Sequence, residues 1–388
     1  MNRELGLRIL SQIMEWSDDE AREEFRWLSF MSAYKYDGYR DYIAGARFIE
    51  NLATWLQQFS SQDRPVAYEF VKEKLIYFSA GEIQRLVEKF FPEFVQGDLV
   101  QRVSERLGIP AYKVWASEKS IEEYQVERRK TIFMGLSDGA RIDALRRANP
   151  GSISNDQVVI ATQIDDHKWS SLLDDLHKDL KKIRNGDMTK EKFSRVYLID
   201  DFTASGTSLI RDPDANGTFK GKLAKFAESL AKVGSDGNAL NPFCENFDIT
   251  VHHYIGTEKA ENKISEVYSS ASSWLANKGL PNITFSYGMM LSSGVAISST
   301  SANTFGALCE SYYDTALEGN GEHGGQSGTT DKMFGYAGCG LPVVLEHNAP
   351  NNSLPLLWAA TDGNDEKHRM RPLFRRRERH SDMGGNER

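Results

Sequence analysis

The sequence has few cysteines, no excess of basic charge and no long hydrophobic run. Its 388 residues include three cysteines, an odd number without metal-ligand spacing, which is typical of free thiols in a reducing compartment. The net charge of −8 argues against a general nucleic-acid binder, because affinity for phosphate needs a basic surface. No apolar stretch approaches membrane-spanning length, and the N-terminus lacks the apolar core of a secretory signal. We therefore expect a soluble, cytoplasmic protein.

The first part of the chain is predicted to be helical. Hydrophobic residues make up 40% of the sequence, which is enough for a large core. Three Ser-x-x-Glu signatures, beginning at Ser17, Ser79 and Ser120, match the capping box that starts a helix. Apolar residues recur between them at helical spacing. These features predict an N-terminal helical domain over residues 1–128.

From Thr131 onward, apolar strands alternate with amphipathic helices. This alternation predicts an α/β fold with a doubly wound, mainly parallel sheet over residues 129–318. A glycine-rich lid and a hood segment are expected at 319–362, and a basic tail at 363–388. From Lys367 the tail has eight basic and three acidic residues, a net charge of +5. It is either a solvated charge run or a contact site for an anionic partner.

One stretch, VYLIDDFTASGTSLIRD, combines a buried strand with two acids and a small, hydroxyl-rich loop. Ligands of open α/β sheets bind beyond the carboxyl ends of the strands, so Asp200 and Asp201 are predicted to lie at a binding edge. A loop of small residues and the helix expected after it favour a bound phosphate. The loop consists of Thr203, Ala204, Ser205, Gly206 and Thr207. The pattern predicts a ribose 5-phosphate site; the alternative is a chance acid pair before a capped helix.

Residues 196–207 resemble the phosphoribosyl-diphosphate (PRPP) motif of type I phosphoribosyltransferases. The resemblance implies displacement at ribose C1′, with Asp200 and Asp201 as catalytic and Mg²⁺-binding residues. It also implies a pyrophosphate loop after the first strand, where GLSDGAR stands at residues 135–141. Ser137, Gly139 and Arg141 would then bind the diphosphate. Asp138 would either help to hold Mg²⁺ or cap the following turn.

The GLSDGAR turn and residues 347–358 resemble a branch of that superfamily predicted to act as effectors in bacterial conflict systems. The resemblance implies a role in anti-phage defence, with a protein or nucleic-acid partner. Two alternatives stay open. One is a non-catalytic sensor of PRPP or a nucleotide, and the other is an assembly protein that uses the helical region or the basic tail. Asn348, Asn351 and Asn352 either recognise a base edge or form turns.

Overall fold

The computed structural model describes residues 3–43, 45–160, 166–184, 186–230, 242–299, 304–318, 331–363 and 368–376. By its contacts the chain divides into two compact units. Unit 1 combines Met1–Glu82 with Ser293–Arg388, and unit 2 is Ile83–Ser292. The predicted domain boundaries, at residues 128, 318 and 362, fall inside these units. Unit 1 combines the two ends of the chain because residues 76–78 pair in parallel with residues 343–345.

From Thr131 to Leu291, strands and helices alternate as the sequence predicts, whereas the short strands Ile76–Phe78 and Val343–Leu345 were not predicted. The helices are α1 (Arg3–Met14), α2 (Asp18–Tyr34), α3 (Phe48–Leu56), α4 (Arg64–Glu73), α5 (Ala80–Phe90), α6 (Gln96–Leu107), α7 (Glu118–Arg129), α8 (Ile142–Ala148), α9 (Asp166–Ile183), α10 (Lys222–Leu230), α11 (Glu258–Asn277), α12 (Phe305–Tyr312) and α13 (Pro355–Trp358). The strands are β1 (Ile76–Phe78), β2 (Thr131–Gly135), β3 (Val158–Ile160), β4 (Phe193–Thr203), β5 (Phe243–Thr257), β6 (Ile283–Leu291) and β7 (Val343–Leu345). No helix within these described ranges is both long enough and apolar enough to cross a membrane.

Unit 2 contains a parallel sheet of five strands in the order β3-β2-β4-β5-β6. The strand order reverses between β2 and β4, where Gly135 is the register partner of Ile199. In doubly wound sheets this reversal point, at the carboxyl ends of the strands, is where ligands bind. Apolar side chains from the strands and from α9, α10 and α11 form one core on this sheet. The predicted α/β fold with a parallel sheet and an N-terminal helical region is confirmed.

Unit 1 is a helical body in which β1 pairs in parallel with β7. Its core includes three residues of the predicted basic tail, Met370, Leu373 and Phe374, all of which are buried. The Phe374 ring packs against a group of aromatic side chains, namely Tyr36, Tyr39, Tyr42, Phe48 and Tyr77. The tail therefore enters the fold as far as residue 376, and residues 377–388 lie outside the described part of the chain.

The predicted capping boxes hold at two of three positions. Ser17 and Ser79 each exchange hydrogen bonds with the glutamate three residues later. The prediction at Ser120 is wrong, because Ser117 caps α7 by accepting a hydrogen bond from the Ser120 amide. In the predicted hood segment, Asn351 and Asn352 lie in a turn, and the Asn352 side-chain amide donates to the Tyr336 carbonyl. The glycine-rich stretch 319–330 lies outside the described residues.

Candidate functional site

Asp200 and Ser137 meet at the reversal point of the sheet in unit 2. Asp200 lies near the carboxyl end of β4, and Ser137 follows β2. The pairing of the two strands continues beyond β2, since the Leu136 amide donates to the Ile199 carbonyl over 2.8 Å. The Ser137 hydroxyl then donates to Asp200 Oδ1. The structure thus brings together the acid of one predicted motif and the turn of the other.

The second oxygen of Asp200 pairs with a lysine that the sequence analysis did not single out. Lys222, the first residue of α10, donates from its ammonium group to Asp200 Oδ2. The carboxylate is only 2% exposed, whereas the lysine side chain is 28% exposed. Burial raises the pKa of Asp200, and Lys222 and Ser137 oppose that rise by stabilising the charged form. Asp200 is therefore a buried acid whose charge is balanced by the chain itself.

Gly221 allows the backbone of Lys222 to pack where its ammonium group reaches Asp200. It has a φ of +120°, and a Cβ there would lie 2.5 Å from the Leu209 carbonyl oxygen, so any larger residue would displace the backbone. The Lys222 amide donates to the Ser208 carbonyl over 3.1 Å. The start of α10 is thereby fixed to the turn that follows the predicted phosphate loop. In the sequence, the only signal for this role is a Gly-Lys pair at the beginning of a predicted helix.

Asp201 lies on the other side of β4, because consecutive side chains leave a strand on opposite faces. Its Oδ1 accepts a hydrogen bond from the Phe202 amide at 2.9 Å. Its Oδ2 occupies the space where a Cβ of residue 139 would stand, so Gly139 leaves room for the carboxylate. Burial and the Asp201 charge raise the pKa of Tyr254, and Arg141 opposes this effect. Gly139 and Asp201 are thus direct neighbours, and the charges of Asp201 and Arg141 both act on Tyr254.

Asp138 and Arg141 have backbone positions that bear on their predicted roles. Asp138 is exposed and begins the short 3₁₀ turn Asp138–Ala140, for which Ser137 holds the N-cap position. Asp138 is therefore not the cap of that turn. Arg141 has a φ of +49°, an uncommon value for a residue with a side chain. This conformation ends the turn and starts α8.

The predicted phosphate loop is packed against its own fold. Its residues 203–206 are buried, and Thr207 is half-buried. The Ser205 and Thr207 hydroxyls bond to each other over 2.9 Å, and the Thr257 hydroxyl donates to the Ala204 carbonyl over 2.7 Å. Gly206 has a φ of +75°, and a Cβ there would lie 2.9 Å from the Ala260 carbonyl oxygen. As folded, the loop offers a ligand mainly Thr207 and the exposed Ser208.

The helix expected directly after this loop, already predicted to be short because Pro213 interrupts it, does not form. Residues 207–209 make a turn, Arg211 forms an antiparallel bridge with Lys220, and the next helix starts at Lys222. Pro213 explains the difference, since proline disfavours the helical conformation in the residue before it. The first amides of α10 donate to the Ser208 and Leu209 carbonyls. No helix therefore begins directly after the loop, and the first amides of α10 are already occupied.

A neutral imidazole lies beside Asp200. His253 is the register partner of Asp200 on β5 and is 1% exposed. Its ring stacks on Tyr287 at a centroid distance of 5.9 Å, and neither nitrogen has a hydrogen-bond partner among the described residues. Burial, reinforced by the Lys222 charge, lowers the pKa of His253 to about 3. At neutral pH the ring therefore presents one donor and one acceptor and no charge.

The two acids do not fit one magnesium ion that both would hold. Both Asp200 oxygens are already engaged, and Asp201 leaves the strand on the opposite face. Within the described ranges, no three His, Cys, Asp or Glu side chains are grouped as a metal site would require. Protein-bound Mg²⁺ is held largely by water and by substrate phosphates, so a diphosphate ligand would carry most of the ligands itself. The magnesium requirement stays a prediction.

The sheet order and the acid at its reversal point define a phosphoribosyltransferase-like α/β protein. The chain belongs to the PRTase-CE family, whose model matches residues 52–376. The suspected family is thereby confirmed. No curated protein and no solved structure matches the chain.

Proposed function

We propose that unit 2 binds PRPP or a nucleotide containing ribose 5-phosphate, and that the protein acts at C1′ of that ribose as an effector of a bacterial anti-phage defence system. Membership of the PRTase-CE family supports the ligand class. The observation that carries the proposal is the hydrogen bond between Ser137 and Asp200 at the reversal point of the sheet. It joins the two segments that a phosphorylated sugar would have to contact together.

The roles of the residues follow from their positions. Asp200 would accept a hydrogen bond from a ribose hydroxyl in place of one of its present partners, and Thr207 would donate to the 5′-phosphate. Gly139 and Arg141 would face the diphosphate beyond C1′. The C1′–O bond to diphosphate would break as the bond to the acceptor forms, with the electron pair leaving on the diphosphate. Mg²⁺ that arrives with the diphosphate would neutralise the charge of this leaving group.

A sensor that binds the same ligand without turnover is the second candidate. It is favoured by the inward packing of residues 203–206 and by the internal bonds to both Asp200 oxygens. Both features stabilise the ligand-free state, so a ligand would have to displace existing contacts. Release of pyrophosphate from PRPP separates the two candidates, since only an enzyme produces it.

Binding is tested by the rise in melting temperature that PRPP or ribose 5-phosphate produces. The parent protein should be stabilised, and a variant with Asp200→Asn and Asp201→Asn should lose the effect. A matched control changes another adjacent acid pair of unit 2, Asp174→Asn with Asp175→Asn on α9, and should respond like the parent. Circular dichroism without ligand checks that each variant is folded. Equal stabilisation of a folded Asp200/Asp201 variant would refute the assignment.

A further inference from the structure

We propose that Lys222 supplies the positive charge of this site, so that the phosphate of ribose 5-phosphate is bound by a tethered ammonium group and needs no divalent cation held by the two acids. This inference rests on the proposed function, because it assumes a phosphorylated sugar as the ligand. It concerns a residue outside both predicted motifs. It also replaces the predicted role of Asp200 and Asp201 as metal ligands.

The first argument is occupancy. A cation shared by Asp200 would have to displace the Lys222 ammonium from Oδ2 and the Ser137 hydroxyl from Oδ1. The lysine already neutralises this buried carboxylate. An ammonium group carries three donors, so one bond to Asp200 leaves capacity for a ligand oxygen. Its side chain is 28% exposed, whereas the carboxylate is 2% exposed, so a ligand reaches the lysine first.

The second argument is position. The Lys222 backbone is bonded to Ser208, directly after the predicted phosphate loop, and its side chain reaches Asp200. A ligand that contacts both Asp200 and Thr207 would therefore lie close to this lysine. Lys222 is the first residue of α10, whose first amides are already bonded to the Ser208 and Leu209 carbonyls, so its ammonium group adds a full charge at this helix end. A charged donor of this kind binds phosphate more strongly than a neutral one.

The third argument comes from the buried imidazole of His253. It is 1% exposed and unpartnered among the described residues, although its register partner is Asp200. An orphaned polar group in such a place is typically satisfied by a ligand or an ordered water. Because the ring is neutral, it does not compete with Lys222 for an anion, and it is suited to a sugar hydroxyl.

The test measures the Kd of ribose 5-phosphate by calorimetry in EDTA and in Mg²⁺. For the parent protein we expect the two values to agree within about threefold. In EDTA, Lys222→Met should weaken binding by about tenfold or more, as the loss of a charge-assisted bond predicts, and Lys222→Arg should recover much of the loss. Lys225→Met, an exposed position one turn along α10, is the matched control and should bind like the parent.

The outcomes separate this inference from the function on which it rests. Binding by the parent that disappears in EDTA and returns with Mg²⁺ overturns the inference but leaves the proposed function standing. The same holds if folded Lys222→Met binds as tightly as the parent. The comparison of EDTA with Mg²⁺ needs no variant, so a misfolded Lys222→Met does not prevent the test. If the parent binds neither ribose 5-phosphate nor PRPP in either buffer, the proposed function fails and the inference fails with it.

Discussion

Replacing Lys222 by methionine should destabilise the protein in a way that depends on pH. Methionine keeps much of the volume of the lysine stem but leaves Asp200, which is 2% exposed, without its counter-ion. Breaking one side of a buried ion pair typically costs about 3–5 kcal/mol, because the remaining charge is uncompensated. Ser137 can still donate to the carboxylate, but one neutral hydrogen bond does not replace an ammonium group.

Protonation of Asp200 sets an upper limit to this loss. From its ordinary pKa of 3.8, keeping the carboxyl group protonated at pH 7 costs about 4 kcal/mol, at roughly 1.4 kcal/mol per pH unit. At pH 5 the same step costs about 1.6 kcal/mol. In the variant, the folded state binds a proton that the unfolded state lacks over this range. Its stability relative to the parent should therefore rise by up to about 3 kcal/mol as the pH falls from 7 to 5.

Urea unfolding followed by circular dichroism at pH 7 and pH 5 measures this effect. Lys225→Met, on the exposed side of the same helix, should differ from the parent by less than about 0.5 kcal/mol at both values. A variant that combines Lys222→Met with Asp200→Asn should regain most of the loss at pH 7, since no buried charge remains. A loss in Lys222→Met that is the same at both pH values, or no larger than that of the control, would refute the electrostatic reasoning.

Three further predictions concern the same edge of the sheet. Gly206→Ala should lower the unfolding free energy by about 2 kcal/mol in urea unfolding, because the residue has a φ of +75° and a crowded Cβ position. Gly97→Ala, in α6 with open space around it, is the control and should not lower the unfolding free energy. Gly139→Ala should change stability by less than about 1 kcal/mol, since only the flexible Asp201 side chain must move, but it should weaken PRPP binding in calorimetry. Burial holds the pKa of both His253 and His252 at about 3, so each stays neutral when folded while the unfolded chain takes up a proton. Each should cost the parent about 2 kcal/mol between pH 6.5 and 5. In pH-dependent melting, His253→Phe should remove about half of the combined loss.

The sheet and the meeting of its two motifs could be predicted from local sequence patterns. Runs of apolar residues such as 131–135 and 196–199 become parallel neighbours, and parallel neighbours end at the same edge. That rule alone places Ser137 near Asp200, about sixty residues later in the chain, and the structure bonds them. The family resemblance rested on residues 196–207, the GLSDGAR turn and residues 347–358, and it is confirmed by a match over residues 52–376.

The features that the sequence did not reveal depend on contacts between distant segments. The Gly-Lys pair at residues 221–222 does not by itself show that the Lys222 ammonium group reaches β4, because this follows from how Gly221 packs on Leu209. The glycine of the predicted phosphate loop was assigned to ligand approach. In the structure its missing Cβ makes room for the Ala260 carbonyl at the start of α11. A pattern identifies a position where the backbone needs freedom, but it does not show which neighbour requires it.

The location of the buried acid and lysine argues for function over stability. A buried ion pair is weak evidence for a stabilising role, since apolar residues of similar volume often serve as well. In the neighbouring core of unit 2, side chains such as Leu198 and Val251 show that the sheet can bury apolar groups at similar depth. The charged pair instead stands at the strand reversal, beside an unpartnered imidazole and a partly exposed ammonium group. A ligand that offers an anion to Lys222 and a hydroxyl to Asp200 exchanges one set of bonds for another without leaving a buried charge uncompensated, and an uncharged sugar cannot do this.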